Sequence, residues 1–552
     1  MLRSAFIVVM ARDHNKIVRR TMSEKYWNQA YPSVRRPVMA RNVVATSQPL
    51  AAQAGLEMLR KGGNAMDAVL ATAIALTVVE PTSNGIGSDA FALFNQGDQI
   101  LGLNASGRSP KAWSPEYFSK YKEMPFRGWD TVTVPGCVSA WVECSKFGNL
   151  PFKDLFEPAI HYAEAGFHVS PVTANAWKMA VDIFHEREDF MSTFSVNGRS
   201  PKAGELFKSP GHASTLELIA DTKGEAFYRG ELAEKIVAHA KNQGGLLCME
   251  DLSGHQLNWV EPISIDLGNL DLYEIPPNGQ GLAALIALGI CREFKLGDMD
   301  PESADAVHIQ LEAMKLAFAD VHSHVSDPDF LKVPAEQFLD RAYLKRRAGD
   351  IDMKKAGTPE TGIPLKGGTV YLCSGDGEGM MVSFIQSNYA GFGSGVVVPG
   401  TGISLQNRGA NFVLTEGHPN QVAGGKRPFH TIIPGMIYQD GKPQSAFGVM
   451  GGHMQAQGHL QMLLRIHYWG QNPQTALDAP RWMVGGESSF KPQVNLEEGF
   501  APAVVKELAN RGHEIFVHPV SANFGGGQFV WKLDDGYLAA SDPRKDGQAV
   551  GF

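Results

Sequence analysis

Thr369 heads an apolar, strand-like run, Val370-Tyr371-Leu372-Cys373, directly behind Gly367 and Gly368. A hairpin signal follows in Gly375-Asp376-Gly377-Glu378-Gly379, then a second alternating run from Met380 to Ser387. A threonine hydroxyl is a weak nucleophile until a base stands beside it, and the α-amine of the same residue is one solution. That solution requires Thr369 to be an N-terminus, so the chain has to be cut between Gly368 and Thr369. Glycine suits such a bond because it tolerates unusual backbone angles and leaves room for the attacking oxygen. The same letters also fit a threonine that merely opens a strand after a loop.

Other chemistries are less well supplied. His322 and His324 stand near Asp320, Asp327 and Asp329, and His185-Glu186 matches half of a zinc-binding HExxH pattern. No three-ligand spacing is present, so no metal site is expected. No GxSxG occurs, which removes the nucleophile-elbow serine hydrolases. The loops Gly279-x-Gly281 and Gly391-x-Gly393-x-Gly395 complete no nucleotide fingerprint, and no cofactor is expected.

The elements that must carry Thr369 are partly legible. Pro49 to Arg60 reads as a helix stopped by Gly62-Gly63, and Ala65 to Val79 as a second, apolar all round and therefore buried. Phe152 to Lys241 reads as helical with polar interruptions, and Ala304 to Val325 as a long amphipathic helix. Lys345 to Lys366 is charged and rich in Gly, Pro and Thr, as expected of an exposed loop ahead of a processing site. From Thr369 the chain turns strand-rich. A cut there divides it into 1–368 and 369–552, two pieces of one folded unit, and the residues alone support a mixed α and β chain.

Composition excludes several partners. A chain of 552 residues with 43% hydrophobic residues can bury a large core. Its formal charge of -8 is spread without a basic stripe, which argues against nucleic acid. No run of about 20 apolar residues exists to span a membrane. Five cysteines (Cys137, Cys144, Cys248, Cys291, Cys373) show no CxxC spacing, and an odd count without a framework predicts reduced thiols and a cytoplasmic protein. Cys373 reads as core. Export is the weaker alternative: Ala5 to Ala11 is at the short limit of a signal core and lacks a small-x-small cleavage site. Residues before about Arg41 are read as disordered or non-native, and a start at Met22 would leave a plain soluble chain.

A series of glycine-rich pieces then recurs in a fixed order: Gly62-Gly63-Asn64-Ala65-Met66-Asp67-Ala68 through Glu80-Pro81, Asn84-Gly85-Ile86-Gly87-Ser88, Thr133-Val134-Pro135-Gly136 and Pro276-Pro277-Asn278-Gly279-Gln280-Gly281. Behind Thr369 come Gly391-Phe392-Gly393-Ser394-Gly395, Lys426-Arg427-Pro428 and Gly451-Gly452. No one piece is diagnostic, but their shared order from about Arg41 to the C-terminus resembles the γ-glutamyltranspeptidase family, a branch of the N-terminal nucleophile hydrolases. The resemblance implies an α+β fold, a four-layer αββα sandwich with strands from both pieces. It implies self-cleavage into a heterodimer, or a dimer of heterodimers, with Thr369 as nucleophile and its freed α-amine as base. Gly451 and Gly452 match the family's backbone oxyanion donors, or else form only a tight turn before a helix. Ser387 falls where the family places a second hydroxyl against the nucleophile.

The substrate pocket departs from the family pattern. Where true transpeptidases hold a glutamyl α-carboxylate with an Arg and two Ser, this chain has Ser106, His430 and Thr431, with Arg108 close to the first. Where they hold the α-amine with an acid and an Asn, it has Asn411 and Tyr389, with Asn388 adjacent. Losing the acid removes the charge complement of an ammonium group. Arg108 and Arg408, with His430 and His453, offer donors for a planar carboxylate instead. The segments Gln386 to Tyr389 and Leu405 to Gly409 resemble the amidohydrolase branch, which implies a small anionic amide, oxamate-like, giving a carboxylate and ammonia. Cephalosporin-acylase-like members occur in the same branch. Glutathione hydrolysis by γ-glutamyl transfer is the alternative, and a non-catalytic binding relative the second. Arg108 and Arg408 can equally be ordinary ion-pair arginines, and His430 and His453 satisfied loop histidines.

Overall fold

The computed structural model describes residues 34–359, 368–485 and 493–552. The stretch Ala5 to Ala11, Met22 and the end of the expected processing loop lie outside the described residues. Two antiparallel seven-stranded sheets dominate. The first runs in the order Gln548–Gly551, Val43–Thr46, Gly368–Gly375, Met381–Tyr389, Asp89–Gln96, Gln99–Ala105, Asn258–Val260. The second runs Val38–Ala40, Tyr537–Ser541, Gly526–Lys532, Lys442–Met450, Gly435–Gln439, Leu270–Glu274, Ile263–Asp266.

Period-two alternation sets which side chains face which layer. Tyr371, Cys373, Phe91, Leu93 and Ile385 of the first sheet pack against Met436, Ala446, Val530 and Ala539 of the second. Val370, Leu372, Val382 and Phe384 point the other way, onto the helix Ala65–Val79. Behind the second sheet, Leu272, Ile437, Phe447 and Val449 meet the helices Gly281–Cys291, Ala304–His324 and Met454–His467. The layers are therefore helix, sheet, sheet, helix, the αββα sandwich that the resemblance implies. Cys373 is core, as its apolar neighbours predict, and burial pushes its thiol far up.

The buried helix Ala65–Val79 starts where the sequence says it should. Asn64 caps it by accepting the N–H groups of Met66 and Asp67, and Asp67 returns a bond to the Asn64 N–H. Such a box contributes about 1 kcal/mol and fixes the register of a helix whose every side chain is buried. The stretch expected to be an exposed loop from Lys345 opens differently. Arg341–Gly349 is a helix, and residues behind it are anchored: Gly357 N–H donates to Glu312 at 2.8 Å and Ala356 N–H to the Arg511 carbonyl at 2.7 Å. Tertiary acceptors far away in the sequence make those bonds, so no local pattern announces them.

Candidate active site

Thr369 begins its strand at a β-bulge: Gly368 pairs with Tyr389, but Val370 pairs with Gln386. A bulge re-aims the side chain beside it. Thr369 is only 2% exposed, and its Oγ1 lies 3.1 Å from the Ser387 Oγ on the neighbouring strand. Gln455, in the first turn of the helix Met454–His467, donates its Nε2 to the same Oγ1 at 3.3 Å. The nucleophile candidate thus lies at one end of the inter-sheet layer, where a strand of one sheet meets the helix leaving the other.

Ser387 is the hub of the next layer. Its Oγ accepts the Tyr389 N–H at 2.8 Å and Arg408 Nη2 at 3.3 Å. Arg408 also donates Nη1 to Thr431 Oγ1 at 2.8 Å, and its guanidinium stands 4.8 Å from the Tyr389 ring centroid. Tyr389 holds a left-handed φ of 72°, an unusual conformation for a bulky side chain, which presents its ring to that guanidinium. Arg408 is fully buried, and desolvation lowers its pKa to about 10. Its Nε has no partner among the described residues, nor has His453 Nδ1 or Asn411 Nδ2, although all three atoms are buried. Unmatched buried donors of this kind mark where a ligand or water would bind.

Asp89 was not singled out from the sequence. It stands directly across from Ser387 in the sheet and is wholly buried. Its Oδ2 accepts from His430 Nε2 at 3.1 Å, and its Oδ1 from the Gly107 N–H at 3.2 Å. His430 Nδ1 accepts the Ile432 N–H at 3.3 Å, so the ring proton resides on Nε2. Burial raises the Asp89 carboxyl to about 7, against the pull of Arg408 and of backbone N–H groups, and burial holds His430 well below the usual imidazole range. A buried acid at the start of a strand, just after the Gly85-Ile86-Gly87-Ser88 loop, was the available signal.

Gly451 and Gly452 form the turn between the strand Lys442–Met450 and the helix bearing Gln455. Both have left-handed φ, 130° and 59°. Their carbonyls accept helix N–H groups from Met454 and Gln455, and Gln280 Nε2 also donates to the Gly452 carbonyl at 2.8 Å. Among the described residues neither glycine N–H donates to a protein acceptor. Gln280 is a second participant that sequence reasoning missed.

Two expected substrate contacts are committed elsewhere. Arg108 donates to Asp327 at 2.6 Å and to the Gly425 carbonyl at 3.1 Å, on a partly exposed flank. Asn388 accepts from Ser88 Oγ at 2.9 Å and donates to Ser404 Oγ at 3.0 Å, tying the glycine loop to the strand. His453 stacks on Phe429 with ring centroids 5.9 Å apart and lies beside His322. The rival zinc set is not assembled: Asp320 takes Tyr343 and Arg347, and Asp327 takes Arg108 and the Arg427 N–H. His308, Glu312 and His513 do meet, and Lys315 joins them, donating to Glu312 at 2.7 Å and lying 3.3 Å from His513 Nδ1. His513 Nε2 meets His308 Nδ1 at 2.8 Å, and His308 Nε2 the Asp352 carbonyl at 2.9 Å, so every ring nitrogen has a protein partner. No helix among the described residues is long and apolar enough to cross a membrane.

This site stands on a scaffold shared along most of the chain with known proteins. The family profile of gamma-glutamyltranspeptidase matches residues 51–552. The glutathione hydrolase-like YwrD proenzyme of Bacillus subtilis (strain 168) is 35% identical over 527 residues, covering 93% of this chain and 100% of that protein. The oxamate amidohydrolase proenzyme of Klebsiella pneumoniae is 35% identical over 529 residues, covering 93% and 99%. The crystal structure of cephalosporin acylase from Bacillus halodurans superposes with a TM-score of 0.91 at 48% identity, covering 95% of this chain and 98% of that one. With a buried threonine at the head of a central strand and hydrolases as relatives over more than nine-tenths of its length, the chain belongs to the γ-glutamyltranspeptidase family and is an amide hydrolase of the N-terminal nucleophile fold.

Proposed function

We propose that the chain is a proenzyme that cuts itself between Gly368 and Thr369 and then hydrolyses a small anionic amide, oxamate-like, through an acyl-enzyme on Thr369. The observation that carries this reading is the convergence of Ser387 and Gln455 on Thr369 Oγ1, one side chain away from a buried arginine with an unmatched nitrogen. Similar proteins from Bacillus subtilis and Klebsiella pneumoniae carry the word proenzyme in their names, which supports the processing step.

After the cut, Thr369 Oγ1 adds to the substrate carbonyl carbon and its proton passes to the Thr369 α-amine. An α-amine with an unperturbed pKa of about 7.7–8.0 is well matched to neutral pH. The carbonyl oxygen, now negative, takes the unspent N–H groups at Gly451 and Gly452. The C–N bond breaks, the α-ammonium hands its proton to departing ammonia, and an ester remains. Water then adds to the ester with the α-amine again as base, releasing a carboxylate and restoring Thr369. Arg408 holds the substrate's own carboxylate, with Tyr389 on its face and Thr431 fixing its direction. The two pieces stay together as a heterodimer. An odd count of five cysteines without a paired spacing supports a cytoplasmic location.

Release of the leaving amine by the purified protein tests this: ammonia from oxamate and from glutamine, and the free aminocephalosporin nucleus from an N-acyl cephalosporin. Preference for oxamate is expected. Preference for the γ-glutamyl amide would replace the reading with glutathione-hydrolase chemistry, and preference for the cephalosporin with acylase chemistry. No release from any, together with an uncut chain, would leave a binding protein.

A further inference from the structure

We propose that Gln455 is a catalytic hydrogen-bond donor to the nucleophile's oxygen, acting in self-cleavage and again in each turnover. The inference rests on Thr369 being the nucleophile. Gln455 is fully buried, and its Oε1 accepts the Ile433 N–H at 3.0 Å. That bond fixes which end of the amide is which, because turning the amide over would set two donors against each other. Nε2 therefore faces Thr369 Oγ1, at 3.3 Å. From the other side comes Ser387, whose Oγ lies 3.1 Å from Thr369 Oγ1 and accepts from Tyr389 and Arg408.

Negative charge grows on Thr369 Oγ1 at two moments. The first is when it releases its proton and bonds to a carbonyl carbon. The second is when water displaces it from the ester. A neutral donor held at that oxygen stabilises both without reorganising. Self-cleavage leans on it more heavily. There the Thr369 nitrogen is still the amide of Gly368 and has no lone pair to serve as base. Oγ1 adds to the Gly368 carbonyl carbon, the Gly368–Thr369 C–N bond breaks, and the nitrogen leaves with a proton as the new α-amine. Water then splits the ester, giving a Gly368 carboxylate and a free Thr369 hydroxyl. The position of Gln455 serves this role: it lies three residues beyond Gly452, so one helix start brings both the turn's N–H groups and a side-chain donor to the reacting atoms.

The test is the rate of self-cleavage, followed by intact mass, and the turnover of each cleaved chain with oxamate, for Gln455→Leu and Gln455→Glu. Gln455→Leu is expected to slow self-cleavage and kcat by roughly ten- to a hundredfold, with KM changed by less than about threefold. Gln455→Glu keeps the shape. Its carboxylate can still accept from Ile433, but it donates to Thr369 only when protonated. The wild-type advantage in self-cleavage should therefore shrink as pH falls from about 8 to 5. A structural glutamine would give a pH-independent ratio. Gln455→Leu cleaving and turning over within about twofold of wild type, or a flat Gln455→Glu ratio, overturns the proposal. If Gln455→Leu fails to fold, the Gln455→Glu ratio decides. Thr369→Ala separates the two ideas: a cleaved, active Thr369→Ala removes the nucleophile reading itself, whereas an inert one beside an unaffected Gln455→Leu removes only this donor.

Discussion

Arg408 carries its charge inside the protein against Ser387, Thr431 and the Tyr389 ring, with Nε unmatched. Removing one member of a buried charge pair costs about 2–5 kcal/mol, so Arg408→Ala should raise KM for a carboxylated amide by roughly thirtyfold or more. A neutral amide of similar size should change far less, and equal effects on both substrates would refute a carboxylate role. Arg108→Ala is the control: its charge is spent on Asp327, so the ratio between the two substrates should hold. Asp89 makes a prediction in pH. Its folded carboxyl is raised to about 7 by burial, above the ordinary aspartate value. The folded state therefore holds a proton that the unfolded chain has already lost. The associated stability is complete below about pH 4 and disappears as pH climbs through about 7. Thermal unfolding between pH 5 and 8 should show this decline in the wild type and not in Asp89→Asn; parallel curves would count against it.

At the scale of elements, the turn before the helix Met454–His467 governs the geometry. A Cβ on Gly451 would stand 3.1 Å from Gly525 Cα and 3.2 Å from Met454 Cβ, at a φ of 130° that side chains rarely adopt. Strain of about 1–3 kcal/mol at that point would be relieved by moving the turn. Gly451→Ala is expected to slow self-cleavage at least about tenfold while the protein stays folded, since 1 Å of misplacement costs on the order of a hundredfold in rate. Processing at the wild-type rate in a folded Gly451→Ala would show that the turn's N–H groups are not required. The strand Gly368–Gly375 brings a second constraint, because its bulge places Thr369 toward Ser387.

For the molecule as a whole, the proposed cut would leave the two pieces interleaved. In the first sheet the strands Gly368–Gly375 and Met381–Tyr389 lie between Val43–Thr46 and Asp89–Gln96, and Gln548–Gly551 closes its edge. Both sheets, and the helix layer behind the second, combine elements from before and after position 368. Native mass spectrometry should find one particle containing both pieces, and denaturation should resolve two masses divided at Thr369. Thr369→Ala should give a single mass under both conditions and no turnover. Dissociation of the pieces in native buffer would contradict the interleaved sheet.

Local information in the sequence determined the helices Pro49–Arg60 and Ala65–Val79 and the hairpin behind Thr369, whereas the reading of Thr369 as a nucleophile came from the family's ordered motifs around it. Capping residues, glycines and period-two alternation act over a few positions, and they can be read there. The family's ordered glycine loops carried the layer architecture. The tertiary structure alone decided which polar groups share a buried site. Arg108 and Arg408 look alike in the sequence, yet one faces Asp327 at the flank and the other lies buried against Ser387. Asp89 and Gln455 looked like an ordinary strand acid and an ordinary helix glutamine until two sheets brought them within one residue of Thr369's hydroxyl. The reason is range: hydrogen bonds and desolvation act over a few ångströms in space, between residues that lie scores to hundreds of positions apart along the chain.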